Sequence, residues 1–243
     1  TRAACAVAAA CGRYAVTNVY LSPMEQAHQR TRRLMLGVAL ALGLLVLSLY
    51  DRAIWQALLL DPDKSLERKD WWQLFRQFGS LLFWLLLGAC LILHDAHVAR
   101  TKHPGDALAK AGALHRGLMV ILAAGPSGGA AELLKGISQR ARPGETGFYR
   151  FGWIEGDVGG FGLASSHAGT AFGGAIMLGW FFPALRWPLL IIALMCAMTR
   201  MIVGAHYATD VYVAVVLSYA VCWSLWRFAS GFPGGANHPA TSR

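Results

Sequence analysis

A histidine and an aspartate in the C-terminal third of the sequence have the spacing of a catalytic pair. His206 precedes Asp210 by four residues, and residues four apart lie on one face of a helix. A carboxylate placed in this way can hold one ring nitrogen of the imidazole, which leaves the other nitrogen free to attack an electrophile or to accept a proton. A helix-capping aspartate beside an unrelated histidine is the simpler alternative.

A cluster of cations occurs farther towards the N-terminus. Lys135, Arg140 and Arg142 lie within eight residues, and Pro143 follows directly. An ammonium and a planar guanidinium together suit the several oxygens of a phosphate group, although charges at a membrane boundary also serve as simple interfacial anchors. We expect Arg140, like Arg150, to be a solvated loop charge; contact with a second phosphate or a sugar headgroup is the alternative.

Two further segments contain candidate site residues. Ser165, Ser166 and His167 stand between a glycine-rich stretch and an apolar run. Either serine can cap a helix there, and the free N–H groups of a helix start bind anions. Arg200 interrupts another apolar run, and a charge in such a run is a functional candidate by default. Taken alone, His167 is equally compatible with a capping or interfacial role.

The elements that must position these residues are membrane-spanning helices. Of the 243 residues, 56% are hydrophobic and 14% are charged, against roughly a quarter charged in soluble domains. This composition excludes a water-soluble globule and an intrinsically disordered chain. Six apolar runs approach the length of about 20 residues that a bilayer requires: 34–50, 78–93, 117–131, 168–185, 187–199 and 211–226.

We therefore predict an all-α fold, with six transmembrane helices in one bundle that occupies residues 34–229. Gly125 and Pro126 interrupt the third run, so a kink or an irregular turn is expected there. The stretch from Ala53 to the Trp71-Trp72 pair resembles an interfacial helix between spans one and two, with an ordinary connector as the alternative. Residues 1–33 are expected to be an N-terminal tail, disordered or non-native over 1–23, and residues 230–243 a flexible C-terminal tail.

The distribution of cations predicts the orientation in the membrane. Arg30, Arg32 and Arg33 before the first span indicate a cytoplasmic N-terminus, and an even number of spans returns the C-terminus to the same side. Only about half of the 22 Lys and Arg residues fall on this inner side. The segments with the candidate site residues all fall on the outer face, which holds more cations than topology requires.

The net charge of +9 is compatible with nucleic acid, anionic lipid or a phosphate-binding site. Because the unexplained cations lie at a membrane face, we favour phosphate on a membrane lipid and do not expect a nucleic acid partner. No grouping of Cys and His has zinc spacing, so neither a metal nor another cofactor is expected. Cys90, Cys196 and Cys222 lie within apolar runs, which favours small core residues over disulfides.

Together these residues resemble the type 2 phosphatidic acid phosphatase superfamily of lipid phosphatases. Its pattern is Lys, six residues, Arg-Pro; then Pro-Ser-Gly-His; then Ser-Arg, five residues, His, three residues, Asp. The matching positions are Lys135, Arg142, Pro143, Ser165, His167, Arg200, His206 and Asp210. The departures are Ala164 for Pro, Ser166 for Gly and Thr199 for Ser. The first 100 residues show no likeness to the family beyond hydropathy.

The resemblance implies a role for each matching position. His206 would be the nucleophile that forms a phosphohistidine, Asp210 would orient its ring, and His167 would protonate the leaving oxygen and then help to activate water. The phosphoryl oxygens would be held without a metal by Lys135, Arg142, Arg200, Ser165 and Ser166. If position 166 requires a positive φ, its serine would be strained.

The resemblance also implies the substrate class and the location. The substrate would be an isoprenyl diphosphate, phosphatidylglycerol phosphate, phosphatidic acid or the phosphate of a lipid A disaccharide, hydrolysed on the outer side of the cytoplasmic (inner) membrane. The same histidine chemistry can pass the phosphoryl group to an acceptor lipid instead of water. A transporter subunit is an alternative of another class, favoured by the interrupted third span but opposed by the clustering of ionisable groups at one face.

Overall fold

The computed structural model describes residues 23–61, 63, 65–102, 114–144, 149–156 and 160–230, without the side chains of residues 23–26, 155 and 230. These residues are predominantly helical, as predicted, and two short 3-10 helices, Leu66–Arg68 and Pro183–Leu185, separate longer elements. The α-helices in chain order are α1 (Pro23–Leu58), α2 (Asp70–Gln77), α3 (Leu81–Lys102), α4 (His115–Ser138), α5 (Gly152–Glu155), α6 (Ser166–Phe181), α7 (Arg186–Ile202) and α8 (Ala208–Ser230).

Several of these helices make the chain a multi-pass membrane protein. Five segments of the described chain are long and apolar enough to cross a bilayer: Ala27–Leu58, Leu81–Lys102, His115–Ser138, Pro183–Ile202 and Ala208–Ala229. They correspond to five of the six predicted spans. The remaining one is the 16-residue helix α6, which is about 24 Å long at 1.5 Å per residue, against a hydrocarbon core of about 30 Å. A membrane crossing by α6 therefore stays a prediction.

Close contacts divide the chain into two units, residues 1–43 and residues 44–243. The described part of the first unit is the N-terminal portion of α1, and its apolar side chains are exposed, for example Leu34 at 61% and Met35 at 67%. Apolar side chains exposed along a helix of this length are typical of contact with lipid. The second unit contains the buried core and all of the candidate site residues.

Helix α6 lies at the centre of the second unit and packs against α4, α7 and α8. Small residues allow this close approach, since a Cβ at Gly173 would lie 2.5 Å from the carbonyl oxygen of Ala123 on α4. The ring of Trp84 on α3 occupies the space that a Cβ at Gly174 would need, only 2.3 Å away. Glycine-mediated contact is a common way for membrane helices to pack, and here it holds the middle of α6 against α3 and α4.

Two expectations about local structure need correction. Helix α4 runs from His115 to Ser138 with Pro126 inside it, so no irregular turn interrupts it, because a single missing N–H is tolerated within a packed membrane helix; a kink at Pro126 stays a prediction. The interruption that favoured a transporter is therefore not found in this part of the described chain. Ala53 to Leu58 belong to α1, and only Asp70–Gln77 forms a separate short helix before α3; its interfacial position stays a prediction.

The predicted tails lie mostly outside the described residues, which exclude 1–22 and 231–243. Helix α1 begins at Pro23, eleven residues before the predicted first span, and the bounds of both tails stay a prediction. Helix α8 extends to Ser230, the first residue assigned to the predicted C-terminal tail.

The turn after α2 packs tightly against the start of α6. A Cβ at Gly79 would lie 2.9 Å from both Cys196 Sγ and His167 Cβ, distances that real Cβ atoms do not adopt. The sulfur of Cys196 also lies 4.0 Å from the carbonyl oxygen of Arg76. These contacts hold α2 against α7 and beside the candidate site.

Candidate active site

The segments predicted to form the site converge where the ends of four helices meet. Lys135 lies in the last turn of α4, Ser166 is the first residue of α6, and Arg200 lies in the last turn of α7. His206 lies two residues before the start of α8, and Asp210 lies in the first turn of that helix. Main-chain contact joins two of these segments directly, because the N–H of Ser165 donates to the carbonyl oxygen of Asp210 at 3.2 Å.

The geometry around His206 determines which of its nitrogens carries a proton. Its ring is 3% exposed, and Nδ1 lies 2.9 Å from the carbonyl oxygen of Gly162 and 3.4 Å from Oδ2 of Asp210. Both neighbours can only accept a hydrogen bond, so Nδ1 must carry the hydrogen. The Nε2 atom is left with its lone pair, which is the arrangement that a nucleophile requires.

The contact between His206 and Asp210 arises differently from the predicted one. Helix α8 begins at Ala208, so the two residues do not share a helical face. Instead, Oδ2 of Asp210 accepts the main-chain N–H of Tyr207 at 2.8 Å and thereby faces the ring. Gly162, which the sequence did not single out as a ring partner, approaches Nδ1 more closely than the carboxylate does.

Electrostatics keep the buried imidazole neutral. Burial lowers the pKa of His206, and the hydrogen bond and charge of Asp210 oppose this effect. The nearby charges of Arg200 and Lys135 lower the pKa further. A neutral ring at ordinary pH keeps the Nε2 lone pair available.

Lys135 and Ser166 are in direct contact, as expected of neighbours in one anion site. The ammonium of Lys135 donates to Ser166 Oγ at 3.1 Å and to Glu132 Oε1 at 2.8 Å. The next residue, His167, is partly buried in the first turn of α6. The charges of Arg200, His206 and Lys135 all act on His167, which places these groups in one cluster.

The start of α6 has the form of an anion site. Ser165 is its N-cap, but its hydroxyl makes no capping hydrogen bond and is buried without a partner among the described residues. Buried polar atoms are nearly always paired, so this hydroxyl is suited to a ligand. Ser166 lies inside the helix, and its φ is not positive; the strain considered for this position is therefore absent.

The two arginines predicted to bind phosphate make few hydrogen bonds within the described chain. Arg142 donates from Nε to the carbonyl oxygen of Phe161 at 3.3 Å. The Nε of Arg200 is buried and has no partner in the described chain, and its Nη1 lies 3.9 Å from Glu67. Motif spacing did not identify one further cation: Arg76, at the end of α2, acts electrostatically on Arg200 and His167.

The substitution at position 199 preserves local structure. Thr199 is buried, and its hydroxyl donates to the carbonyl oxygen of Cys196 at 2.7 Å within α7. Ala164, which replaces the proline of the second motif, is fully buried. Both departures therefore occur at packed positions behind the charged side chains.

Arg140 is not the solvated loop charge that was expected. It is 3% exposed, and its Nη1 donates to Thr209 Oγ1 at 2.7 Å and to Asp210 Oδ1 at 3.0 Å. Its Nη2 donates to Asp51 Oδ2 at 3.0 Å. Burial of a charge is tolerable only when it is paired, and Arg140 meets this condition with two carboxylates.

Asp51 is the site residue that sequence reasoning missed most completely. In the sequence it is only the polar residue that follows the apolar run 34–50, yet it is fully buried. Besides Arg140, it binds the main-chain N–H of Thr209 at 3.0 Å and the hydroxyl of Tyr149 at 3.2 Å. A carboxylate directly after an apolar run is a signal that could have identified it.

A metal site is not evident in the described part of the chain, where no group of three or more His, Cys, Asp and Glu side chains is arranged to hold an ion. The positive groups of the site are side chains: Lys135, Arg142, Arg200 and Arg76. The arrangement can bind an anion and places two histidines, His206 and His167, beside the cations.

Comparison with known proteins agrees with this interpretation. A sequence profile of the PAP2 superfamily matches residues 114–232, which include every predicted site residue but neither Asp51 nor α2. Among solved structures, the chain is similar to the crystal structure of a transmembrane PAP2 type phosphatidylglycerolphosphate phosphatase from Bacillus subtilis. The TM-score is 0.53 at 20% identity, over 80% of this chain and 96% of that one. No curated protein matches the sequence.

Proposed function

Because the chain belongs to the PAP2 superfamily, we propose that it is a membrane lipid phosphatase that forms a phosphohistidine intermediate on His206. The observation that carries this proposal is the geometry of the ring: two acceptors face Nδ1, so the lone pair is on Nε2. The charges of Lys135 and Arg200 act on the same ring. A neutral nucleophile surrounded by cations suits attack on a phosphoryl group.

The proposed first step is in-line displacement at phosphorus. The lone pair of His206 Nε2 forms a bond to phosphorus while the bond from phosphorus to the lipid oxygen breaks. His167 donates a proton to that oxygen, and Asp210 stabilises the positive charge that develops on the phosphorylated ring. A water molecule then attacks phosphorus and gives its proton to His167, while the bond from phosphorus to Nε2 of His206 breaks; phosphate leaves and both histidines return to their initial state.

The atoms that would bind the phosphoryl oxygens are those left without full hydrogen bonding. Ser165 Oγ and Arg200 Nε are buried and lack partners in the described chain, and Lys135 and Arg142 complete the set with Ser166. Charge-assisted hydrogen bonds to phosphate are about twice as strong as neutral ones. Fixed cations thus supply the charge stabilisation that magnesium provides in other phosphoryl-transfer enzymes, and the proposal requires no metal.

The proposed substrate is a lipid with a phosphate monoester or diphosphate terminus. The candidates are an isoprenyl diphosphate, phosphatidylglycerol phosphate, phosphatidic acid and a lipid A phosphate. The name of the structurally similar Bacillus protein supports the second of these, and it is a reason to test that lipid first. We further propose that the protein lies in the cytoplasmic (inner) membrane, with both termini in the cytoplasm, α6 as a sixth span and the site on the outer face.

The test is phosphate release from a panel of lipid monophosphates and diphosphates in mixed micelles. His206→Ala should abolish release, and acid-labile labelled phosphate should be trapped on the wild type but not on this variant. His97→Ala is the matched control, because His97 is an exposed histidine on α3, and it should retain wild-type activity. Release by His206→Ala within a few fold of wild type would remove His206 as the nucleophile.

Two additions separate the neighbouring possibilities. Activity should persist in a chelator and be inhibited by vanadate, which mimics five-coordinate phosphorus; strict dependence on added magnesium would contradict the mechanism. An acceptor lipid added to the assay distinguishes hydrolysis from transfer. Phosphate release that is equal with and without the acceptor supports hydrolysis, and appearance of phosphorylated acceptor supports the transferase alternative.

A further inference from the structure

We propose that Arg140 and Asp51 are positioning residues for the nucleophilic histidine and act on it through Asp210. This inference rests on the proposed function, since it takes His206 as the group that attacks phosphorus. Neither residue belongs to the motif pattern, and Asp51 lies outside the range that the family profile matches. A segment of the chain without recognisable family motifs thus contributes to the catalytic geometry.

The first step of the argument is the orientation of the Asp210 carboxylate. Its Oδ1 accepts a hydrogen bond from Arg140 at 3.0 Å, and its Oδ2 accepts the N–H of Tyr207 at 2.8 Å. With both oxygens held, the carboxylate does not rotate, and Oδ2 stays directed at Nδ1 of His206, 3.4 Å away. Without Arg140, a single main-chain hydrogen bond would orient the group.

The second step is the role of Asp51 in aiming Arg140. Asp51 accepts from Nη2 of Arg140 at 3.0 Å through one oxygen. Its other oxygen accepts the main-chain N–H of Thr209 at 3.0 Å, and the Thr209 hydroxyl donates to Asp51 as well. Because Thr209 immediately precedes Asp210, Asp51 fixes both the guanidinium and the backbone from which the catalytic carboxylate projects.

The third step concerns the plane of the guanidinium. Arg140 lies over the rings of Tyr149 and Tyr207, with its central carbon 4.7 Å and 4.4 Å from their centroids. The two rings are nearly parallel, at 6°. Burial raises the pKa of Tyr207 to about 12 and also raises that of Tyr149, so both phenols remain neutral. A lysine could supply the charge but not the two-pronged, stacked geometry.

The charges of this cluster also affect the ring of His206. Positive charge develops on the ring as its Nε2 bonds to phosphorus, and Asp210 stabilises that charge. Arg140 opposes this stabilisation, whereas Asp51 offsets Arg140. Substitutions at the two positions should therefore shift the protonation of His206 in opposite directions. The charged groups that act on His206 from the surrounding elements are Asp210, Arg200, Lys135, Glu132 and His167, and none of them changes in the proposed variants.

The test compares Arg140→Lys, Arg140→Gln and Asp51→Asn with wild type as full-length protein in detergent, using a lipid phosphate that wild type hydrolyses. Asp95→Asn is the matched control, since Asp95 is also a buried carboxylate paired with an arginine. For Arg140→Lys and Asp51→Asn, kcat should fall by about ten- to a hundredfold, as expected for a misplaced catalytic group, while KM changes by less than about twofold. Asp95→Asn should retain the wild-type kcat per folded molecule.

The pH dependence of kcat/KM distinguishes a positioning role from a purely structural one, because a purely structural role would not shift it. The nucleophile must be neutral, so protonation of His206 produces the acid limb of the kcat/KM profile. Asp51→Asn removes a negative charge, which lowers the pKa of His206 and moves the acid limb to lower pH. Arg140→Gln removes a positive charge, which raises that pKa and moves the limb to higher pH.

Several outcomes would overturn the positioning role. One is a wild-type kcat per folded molecule in both Arg140→Lys and Asp51→Asn, with the folded fraction taken from thermal unfolding. Acid limbs that coincide with wild type in Arg140→Gln and Asp51→Asn are another. If Arg140→Gln does not fold, the kcat of Arg140→Lys and Asp51→Asn and the acid limb of Asp51→Asn test the positioning role. Wild-type protein that releases no phosphate from any lipid would contradict the proposed function itself, whereas an active wild type with silent substitutions overturns only this inference.

Discussion

Two clusters of an arginine with buried carboxylates occur at opposite ends of α4. At its start, Arg116 donates from Nε to Asp95 on α3 at 2.8 Å, and a second bond joins the same two side chains. Beyond its end, Arg140 binds Asp51 and Asp210. Arg116 and Lys135 are nineteen residues apart on α4, roughly 28 Å along the axis at about 1.5 Å per residue. The two clusters therefore share their chemistry but not their surroundings.

The difference lies in what each cluster contacts next. The Arg116 side chain is 36% exposed and lies over the ring of Phe182, so that pair mainly joins α3 to α4. The Arg140 side chain is 4% exposed and both of its carboxylates are fully buried, and one of them, Asp210, faces His206, the proposed nucleophile. On the proposed function, the two ion pairs differ in role because of the group that each contacts next: Phe182 for Arg116, and His206 for Asp210 in the Arg140 cluster.

The largest expected difference between the clusters comes from the same substitution in each. Asp210→Asn should reduce kcat by about two to four orders of magnitude, because an amide cannot stabilise the charge that develops on His206. Asp95→Asn should leave the activity per folded molecule within about twofold of wild type. Phosphate release normalised to folded protein checks both, and similar losses in the two variants would contradict the distinction drawn here.

A second prediction concerns stability. Arg140→Leu leaves two buried carboxylates without their cation and should reduce the free energy of unfolding by about 3–5 kcal/mol. Arg116→Leu should cost less, about 1–3 kcal/mol, because water can reach the partly exposed site. Denaturant unfolding of both variants in one detergent measures the difference. A larger loss of unfolding free energy for Arg116→Leu than for Arg140→Leu would contradict the prediction that the Arg140 cluster stabilises the protein more.

The smallest expected effect is the dependence of these losses on salt. Salt screens exposed charges much more than buried ones, so concentrated sodium chloride should shrink the loss in Arg116→Leu by less than about 1 kcal/mol. The loss in Arg140→Leu should be insensitive to salt. Repeating the unfolding measurements at low and high salt is sufficient, and equal salt dependence in the two variants would indicate that the Arg140 cluster is hydrated.

The sequence predicted much of this arrangement, because hydropathy and motif spacing are local properties. Apolar runs located the long helices, and the spacing of His206 and Asp210 identified the pair whose side chains meet in the structure. The two side chains meet because α8 begins between the two residues, at Ala208. A spacing of four residues does not show whether both residues lie on one helix or a helix begins between them. The roles of the matched residues remain predictions until they are tested.

The environment of Arg140 could not be predicted, because its partners are distant in sequence. It binds Asp51 and Asp210, which are 89 and 70 residues away along the chain. A charge two residues before a motif arginine gives no local sign that it is buried and lies over two tyrosine rings. Likewise, Gly162 contacts His206 across 44 residues through a carbonyl group, which every residue type possesses.

The turn at Gly79 has a consequence for how freely the N-terminal half of the chain can vary. A hydrogen atom is all that fits between this residue and the side chains of Cys196 and His167. The segment that precedes the family-matched range is therefore held in register with the catalytic half at a position where no side chain fits. Exposed residues of α2 such as Trp71 and Leu74 can change with the lipid environment, whereas position 79 tolerates no larger residue unless the turn moves away from His167.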